Sequence, residues 1–346
     1  MTPIQTLSPP SNPVSALYKN YEFPVPELPV LTFTSYEALL TASKTITAPT
    51  ILLNTVPQSV NNHVLSINLT APLYLILNLT MTGASSVKLT GSNFAVSNLS
   101  LLGGDSSKTF PGYIVEVAGP SIKIINFTIK DFKVKDKDKD YIRINQSAKN
   151  FELHNSILDG KSVNGVFLRL DFPNHHIIKQ CMFLNFKQTS AGNGGEMIRM
   201  ATSNFERQEA NCLIDHCYFE KCDGDPEVVS VKCSKNTISN CIFKNNRGKL
   251  VLRHSHNDTI TNNYFDGNAM RVYGSKHQII KNQVVNKANI LLDNKSGSSY
   301  VPAQDILVDT VFWSPTLPAV VNKGKNNKVV NVTEGIKITE KDLHTA

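Results

Sequence analysis

No apolar run in the sequence approaches the ~20 residues needed to span a bilayer, which argues against a membrane helix. The amino terminus, MTPIQTLSPPSNPVSALYKNYEF, lacks a basic start followed by an apolar core, so no secretory signal peptide is expected in it. Charged residues are scarce at 18% beside 41% hydrophobic residues, a balance that leaves little room for long disordered regions. Disulfide scaffolding is also missing. All six cysteines (Cys181, Cys212, Cys217, Cys222, Cys233 and Cys241) fall in one central part of the chain. The C-x4-C-x4-C spacing of Cys212, Cys217 and Cys222 matches no tight zinc pattern. They are therefore expected as small buried side chains on successive structural repeats rather than as metal ligands. What charge there is leans one way. The net value is +7 and the pI about 9.0, pointing to a polyanionic partner. Nucleic acid is the weakest candidate, because aromatic residues do not accompany the basic ones as base stacking requires.

Residues 1–33 are rich in proline (Pro3, Pro9, Pro10, Pro13, Pro24, Pro26, Pro29) and are expected as an extended arm without a core. TSYEALLTAS follows, with capping-box spacing between Thr34 and Glu37 and an apolar face of Tyr36, Leu39 and Leu40. A short capping helix is the expectation there. Beyond it the sequence repeats. An aliphatic residue, usually an Asn two positions on, and an apolar residue five positions on recur at Ile76/Asn78/Met81, Val96/Asn98/Leu101, Ile124/Asn126/Ile129 and Leu153/Asn155/Leu158. The pattern continues at Ile178/Gln180/Phe183, Ile214/His216/Phe219, Ile238/Asn240/Phe243, Ile260/Asn262/Phe265 and Ile280/Asn282/Val285. The steps suit one coil each of a parallel β-helix, an all-β solenoid. The long step from Ile178 to Ile214 marks an insertion around 188–211. We assign 34–300 to the β-helix and 301–346 to its last coils and cap. Asn78, Asn98 and Asn126 sit in Asn-x-Ser/Thr sequons, but their common register favours amides stacked from rung to rung.

A second strand recurs in each coil as YIRIN, FLRLD, MIRMA, VVSVK, LVLRH and MRVYG. Alternation turns its aliphatic residues inward and its polar residues outward. Stacking these segments predicts one external face lined by Arg143, Arg169, Arg199, Lys232, Arg253 and Arg271, a groove for a polyanion. Twenty-one positions separate Lys232 from Arg253, one coil, so the two are expected on neighbouring rungs, about 4.8 Å apart.

Beside this groove lie Asn193, Asp225 and Glu227, hard oxygen ligands that suit calcium better than zinc. On a uronic-acid substrate such an ion would neutralise the sugar carboxylate while a base removes the adjacent proton. Lys232 is the candidate base, its charged form disfavoured by neighbouring cations. Arg253 is suited to stabilising charge, with His254 or a water passing a proton to the leaving oxygen.

The series NGGE-x-IR, GD-x-EVVSVK, LRH and RVYG resembles the motifs of polysaccharide lyase family six, the alginate lyases and chondroitinase B. The resemblance covers roughly residues 22–290. It implies a right-handed parallel β-helix and β-elimination on a uronate polysaccharide, alginate foremost. It also implies calcium on Asn193, Asp225 and Glu227, Lys232 as base, Arg253 as acid or charge stabiliser, and Arg199, His254 and Arg271 on substrate. Arg143 and Arg169 extend that set along the groove. Asp225 stands where the family more often has Glu, and RHS (Arg253–Ser255) where it has RHG. An enzyme of this kind is expected to be secreted after signal removal or packaged with a virion. Two competing functions remain. A glycoside hydrolase would use Asp223, Asp225 or Glu227 as its acid and base, and a tail or adhesion protein would only grip acidic glycans.

Overall fold

The computed structural model describes residues 27–110, 112–187, 194–286, 288–297, 300–314 and 318–335. They form a right-handed parallel β-helix closed at its amino-terminal end by one short helix. Strand Val64–Leu69 shows why the chain folds this way: Leu65, Ile67 and Leu69 turn inward while Val64, Ser66 and Asn68 face out. A strand with one apolar face must bury it, and the next coil supplies the cover. One sheet stacks eleven strands in parallel, from Val64–Leu69 to Val320–Asn322. A larger sheet of twenty strands folds along its length into two ladders.

The fold line is the asparagine repeat. Asn78, Asn98, Asn126, Asn155, Gln180, His216, Asn240, Asn262 and Lys281 all hold φ between +45° and +57°. This left-handed region admits Asn more readily than most residues because its short amide bonds locally. The amides also ladder as expected: Asn98 Nδ2 donates to Asn78 Oδ1 at 2.8 Å and Asn126 Nδ2 to Asn98 Oδ1 at 3.1 Å. Seven repeat fits, from Val96 to Ile260, pair in register coil by coil. The two outer fits are each one residue out. Leu75 rather than Ile76 pairs with Val96, and Ile279 rather than Ile280 pairs with Ile260. An irregularity after Ile76 absorbs the first slip. In the coil of the last repeat fit Lys281 takes the bend, while Asn282 turns inward to accept from Asn263 Nδ2.

At the amino end, Val30–Phe33 is no arm: it pairs with Thr50–Asn54 as the first strand of the larger sheet. Most of the expected arm, residues 1–26, lies outside the described residues. The helix runs Tyr36–Ser43 with Tyr36 and Leu39 buried, but its cap is Ser35, not Thr34. Ser35 Oγ accepts from Ala38 N at 3.1 Å, which puts Ala38 rather than Glu37 at the third helical position, so no capping box forms. Beyond residue 300 coils continue through Leu307–Trp313 and Lys328–Glu334, and 336–346 lie outside the described residues.

All six cysteines are free and buried. Phe183, Phe219, Phe243 and Phe265 form an internal stack with centroids 4.6–4.9 Å apart and rings within 14° of parallel. Phe243→Ala empties the middle of that stack and is expected to cost roughly 3–5 kcal/mol, read as a lowered denaturation midpoint. A variant melting like the parent contradicts the register.

Candidate active site

The outward residues of the eleven-stranded sheet form a column by pairing: Lys88, Glu116, Arg143, Arg169, Arg199, Ser230, Val251 and Arg271. The expected row of six cations is therefore two columns. Lys232 and Arg253 stand two residues further along their strands, where the main chain keeps pairing: Lys232 N donates to Met200 O at 3.0 Å and Arg253 N to Val231 O at 2.9 Å. That ladder sets Arg253 beside Lys232 on the next rung, as expected. It also leaves a low floor, Ser230 at 0% and Val251 at 3% exposure, between Arg199 and Arg271.

The arginine face is not purely cationic. Arg143 Nε lies 2.6 Å from Asp171 Oδ2, and Arg169 bonds Asp171 at 2.6 Å and Asp140 at 2.9 Å. Arg199 reaches Asp140 at 3.7 Å, and Arg271 holds Asp293 at 2.6 Å. Stacked guanidinium groups repel one another, and these carboxylates relieve the repulsion.

Around the floor the groups are buried. Lys232 is 8% exposed, with Nζ 3.6 Å from Glu196 Oε1. Burial lowers its pKa below the ordinary lysine value; Glu196 and Glu227 oppose the shift, while Arg253 and Arg199 add to it. Glu196, 2% exposed, has its carboxyl pKa raised by burial against the pull of Lys232 and Arg199. Arg253 donates to Glu227 Oε1 at 3.1 Å, and its guanidinium lies 5.5 Å from the Tyr300 ring centroid. His254 is 4% exposed, stacks on Tyr300 with rings 18° apart, and is held toward its neutral form by burial. Asp225 is fixed by main-chain donors: Gly194 N at 2.9 Å and Gly195 N at 3.3 Å to Oδ2, Glu227 N at 3.0 Å to Oδ1.

Six buried polar atoms in this cluster have no hydrogen-bond partner among the described residues: Glu196 Oε2, Arg199 Nε, Glu227 Oε2, Ser230 Oγ, Arg253 Nε and His254 Nε2. Buried polar atoms are seldom left unpaired, and their convergence marks where a polar ligand belongs. Glu227 Oε2 and the Asp225 carboxylate are hard oxygen donors of the type calcium takes, although Glu227 Oε1 already accepts from Arg253 and both Asp225 oxygens accept main-chain N–H groups. Asn193, the third expected ligand, lies outside the described residues, and among the described ones no three His, Cys, Asp or Glu side chains group as a metal site.

The profile of the family described as chondroitinase B matches residues 77–309. The chain belongs to that family. This agrees with the motif resemblance, and the matched span holds every candidate site residue. No curated protein matches the chain by sequence. Among solved structures, the family-six alginate lyase AlyGC is similar at 18% identity and TM-score 0.67, over 89% of this chain and 52% of that one. A mannuronic-acid-specific family-six lyase from human gut microbiota aligns at 16% identity and TM-score 0.66, over 88% and 78%. The family-six lyase Pedsa3628 from Pseudopedobacter saltans gives 14% identity and TM-score 0.66, over 89% and 92%. At these identities the likeness is one of fold, and this family member spans about half the length of AlyGC.

Sequence reading missed two residues of the cluster. Glu196 stands within the NGGEMIR motif, and its outward polar neighbour Arg199 was the available signal. Tyr300 comes from a loop outside every strand pattern, so only the coordinates bring it onto His254 and Arg253.

Proposed function

We propose that the protein is a polysaccharide lyase that cleaves a uronate polymer, alginate foremost, by β-elimination. The observation carrying this reading is the Lys232–Arg253 pair on adjacent rungs above the Ser230–Val251 floor, with the lysine's proton affinity lowered by burial. Solved structures named as alginate lyases, and one named as a mannuronic-acid-specific lyase, support the substrate class.

A substrate uronate lies over the floor with its carboxylate toward Arg253. Neutral Lys232 takes the proton from the carbon bearing that carboxylate, and Nζ becomes an ammonium facing Glu196. The electron pair forms the carbon–carbon double bond as the glycosidic carbon–oxygen bond on the next carbon breaks. The leaving oxygen takes its proton from a water, which neutral His254 can position by hydrogen bonding. Arg253 stabilises the negative charge that gathers on the carboxylate in the transition state. Asp225 and Glu227, with Asn193, would hold a calcium ion whose charge, when bound, neutralises the same carboxylate.

Few protein ligands leave much of the calcium sphere to water and substrate, so exhaustive chelation is expected to lower activity strongly. The melting temperature should move little, because the stacked apolar core does not depend on a surface ion. Asp225→Glu should match or exceed the parent. Full activity after chelation, with no metal by elemental analysis, removes calcium from the reading.

One observation favours a second reading. The raised pKa of buried Glu196 suits the general acid of a glycoside hydrolase, with Glu227 as the second carboxylate. Elimination leaves an unsaturated product that absorbs in the ultraviolet, and hydrolysis does not. A panel of alginate, polymannuronate, polyguluronate, dermatan and glucuronan scored for that absorbance separates the two.

A further inference from the structure

The outward column of the eleven-stranded sheet runs past Arg143 toward the amino-terminal end, through Glu116 and Lys88. There a cavity of about 230 Å³ opens, lined by Val64, Ser86, Lys88, Phe110, Tyr113 and Glu116. It is separate from the Lys232–Arg253 centre. Ser230 lies five rung-to-rung steps from Lys88, roughly 24 Å at ~4.8 Å per step.

Its lining combines an aromatic face, an exposed apolar side chain and a cation. The Arg143 guanidinium sits 4.9 Å from the Tyr113 ring centroid and 3.7 Å from Glu116, so both residues are tied to the arginine column. Glu116 shares the Arg143 guanidinium with Asp171, which lies closer at 2.6 Å, so Lys88 is the cation left to meet a ligand's negative charge. Lys88 projects from the exposed face of strand Ser86–Gly91, and Val64, 65% exposed, lies on the neighbouring strand. A Val side chain left in water beside an aromatic ring and a cation suits a ligand with an apolar face and a negative charge. A uronate ring has both, its carbon–hydrogen face packing on an aromatic ring and its carboxylate meeting an ammonium. Between this cavity and the floor at Ser230 lie Arg143, Arg169 and Arg199 on three consecutive rungs. An extended polyanion along the solenoid axis would pass a guanidinium at each one.

We propose that this cavity is a distal sugar subsite of the same polymer: Lys88 meets the carboxylate of a sugar about five units from the bond that breaks, and Tyr113 and Val64 take its apolar face. The proposal rests on the uronate-lyase reading for the identity of the polymer. It makes the protein a reader of chain length, gripping long substrates better than short ones.

The test is calorimetric binding of mannuronate and guluronate oligomers, four and ten sugars long, to full-length protein carrying Lys232→Ala, which is expected to bind without turnover. Affinity should rise by about tenfold from the short to the long oligomer. Adding Lys88→Gln or Tyr113→Ala should abolish that rise and leave four-sugar binding unchanged. Lys88 is exposed, so Lys88→Gln keeps the test independent of folding. An equal rise in the variants, no rise in their parent, or no binding at either length overturns the subsite. Failure of the lyase reading alone looks different: the wild-type protein yields no unsaturated product at any length, yet the Lys88-dependent length effect persists.

Discussion

Lys232→Ala is expected to lower the rate of unsaturated-product formation by ~10²–10⁴-fold, the usual worth of a positioned general base. The fold should survive, because Lys232 lies on the outer side of the solenoid and its loss removes no apolar core contact, but alanine leaves buried Glu196 without its cation and some loss of melting temperature should follow. The same residue sets the pH dependence. A base must be neutral to act, and burial places the Lys232 pKa below the ordinary lysine value. The rate should therefore rise with pH through that lowered pKa and then level off. Glu196→Gln removes the carboxylate that favours the ammonium form, so the rising limb should move to lower pH. A limb that stays in place, or a Lys232→Ala protein that turns over normally, removes the lysine from the base role.

Arg253→Ala should reduce turnover by ~10²–10³-fold, the scale found for losing one donor aimed at developing charge. Its effect on stability needs separating from its effect on rate, because Arg253 also pairs with Glu227 at 3.1 Å. Alanine leaves that partly buried carboxylate alone, and some loss of melting temperature should follow. Arg253→Lys keeps a positive charge beside Glu227 but loses the planar fork. It should melt nearly like the parent while remaining at least about tenfold slower. Parallel losses of rate and melting temperature in both variants would reassign Arg253 to a structural role.

Much of the fold was legible because its cause is periodic. An inward aliphatic residue, a left-handed Asn and a second inward residue recur at each bend, and seven such triplets pair as read. The Asn itself was explained by its amide ladder alone; the positive φ that also selects it is a backbone property that no side-chain pattern reveals. The site was legible by residue type and less so by position. Lys232 and Arg253 follow the column positions Ser230 and Val251 by two residues, and local similarity of VVSVK and LVLRH to YIRIN hid that offset until hydrogen bonding fixed the register. The carboxylates that neutralise the arginines, Asp140 and Asp171 among them, sit at strand ends where sequence gives no partner. Glu196 differs from an ordinary surface carboxylate only in its burial, a consequence of the tertiary fold.

The most direct measurement is ultraviolet absorbance of the product from uronate polymers, followed with wild-type protein and Lys232→Ala side by side. The account predicts that the chromophore accumulates with wild-type protein on at least one polymer, is lost with the variant, and that the variant still unfolds cooperatively as a folded protein. Release of reducing ends without the chromophore, or an undiminished signal from Lys232→Ala, would contradict it.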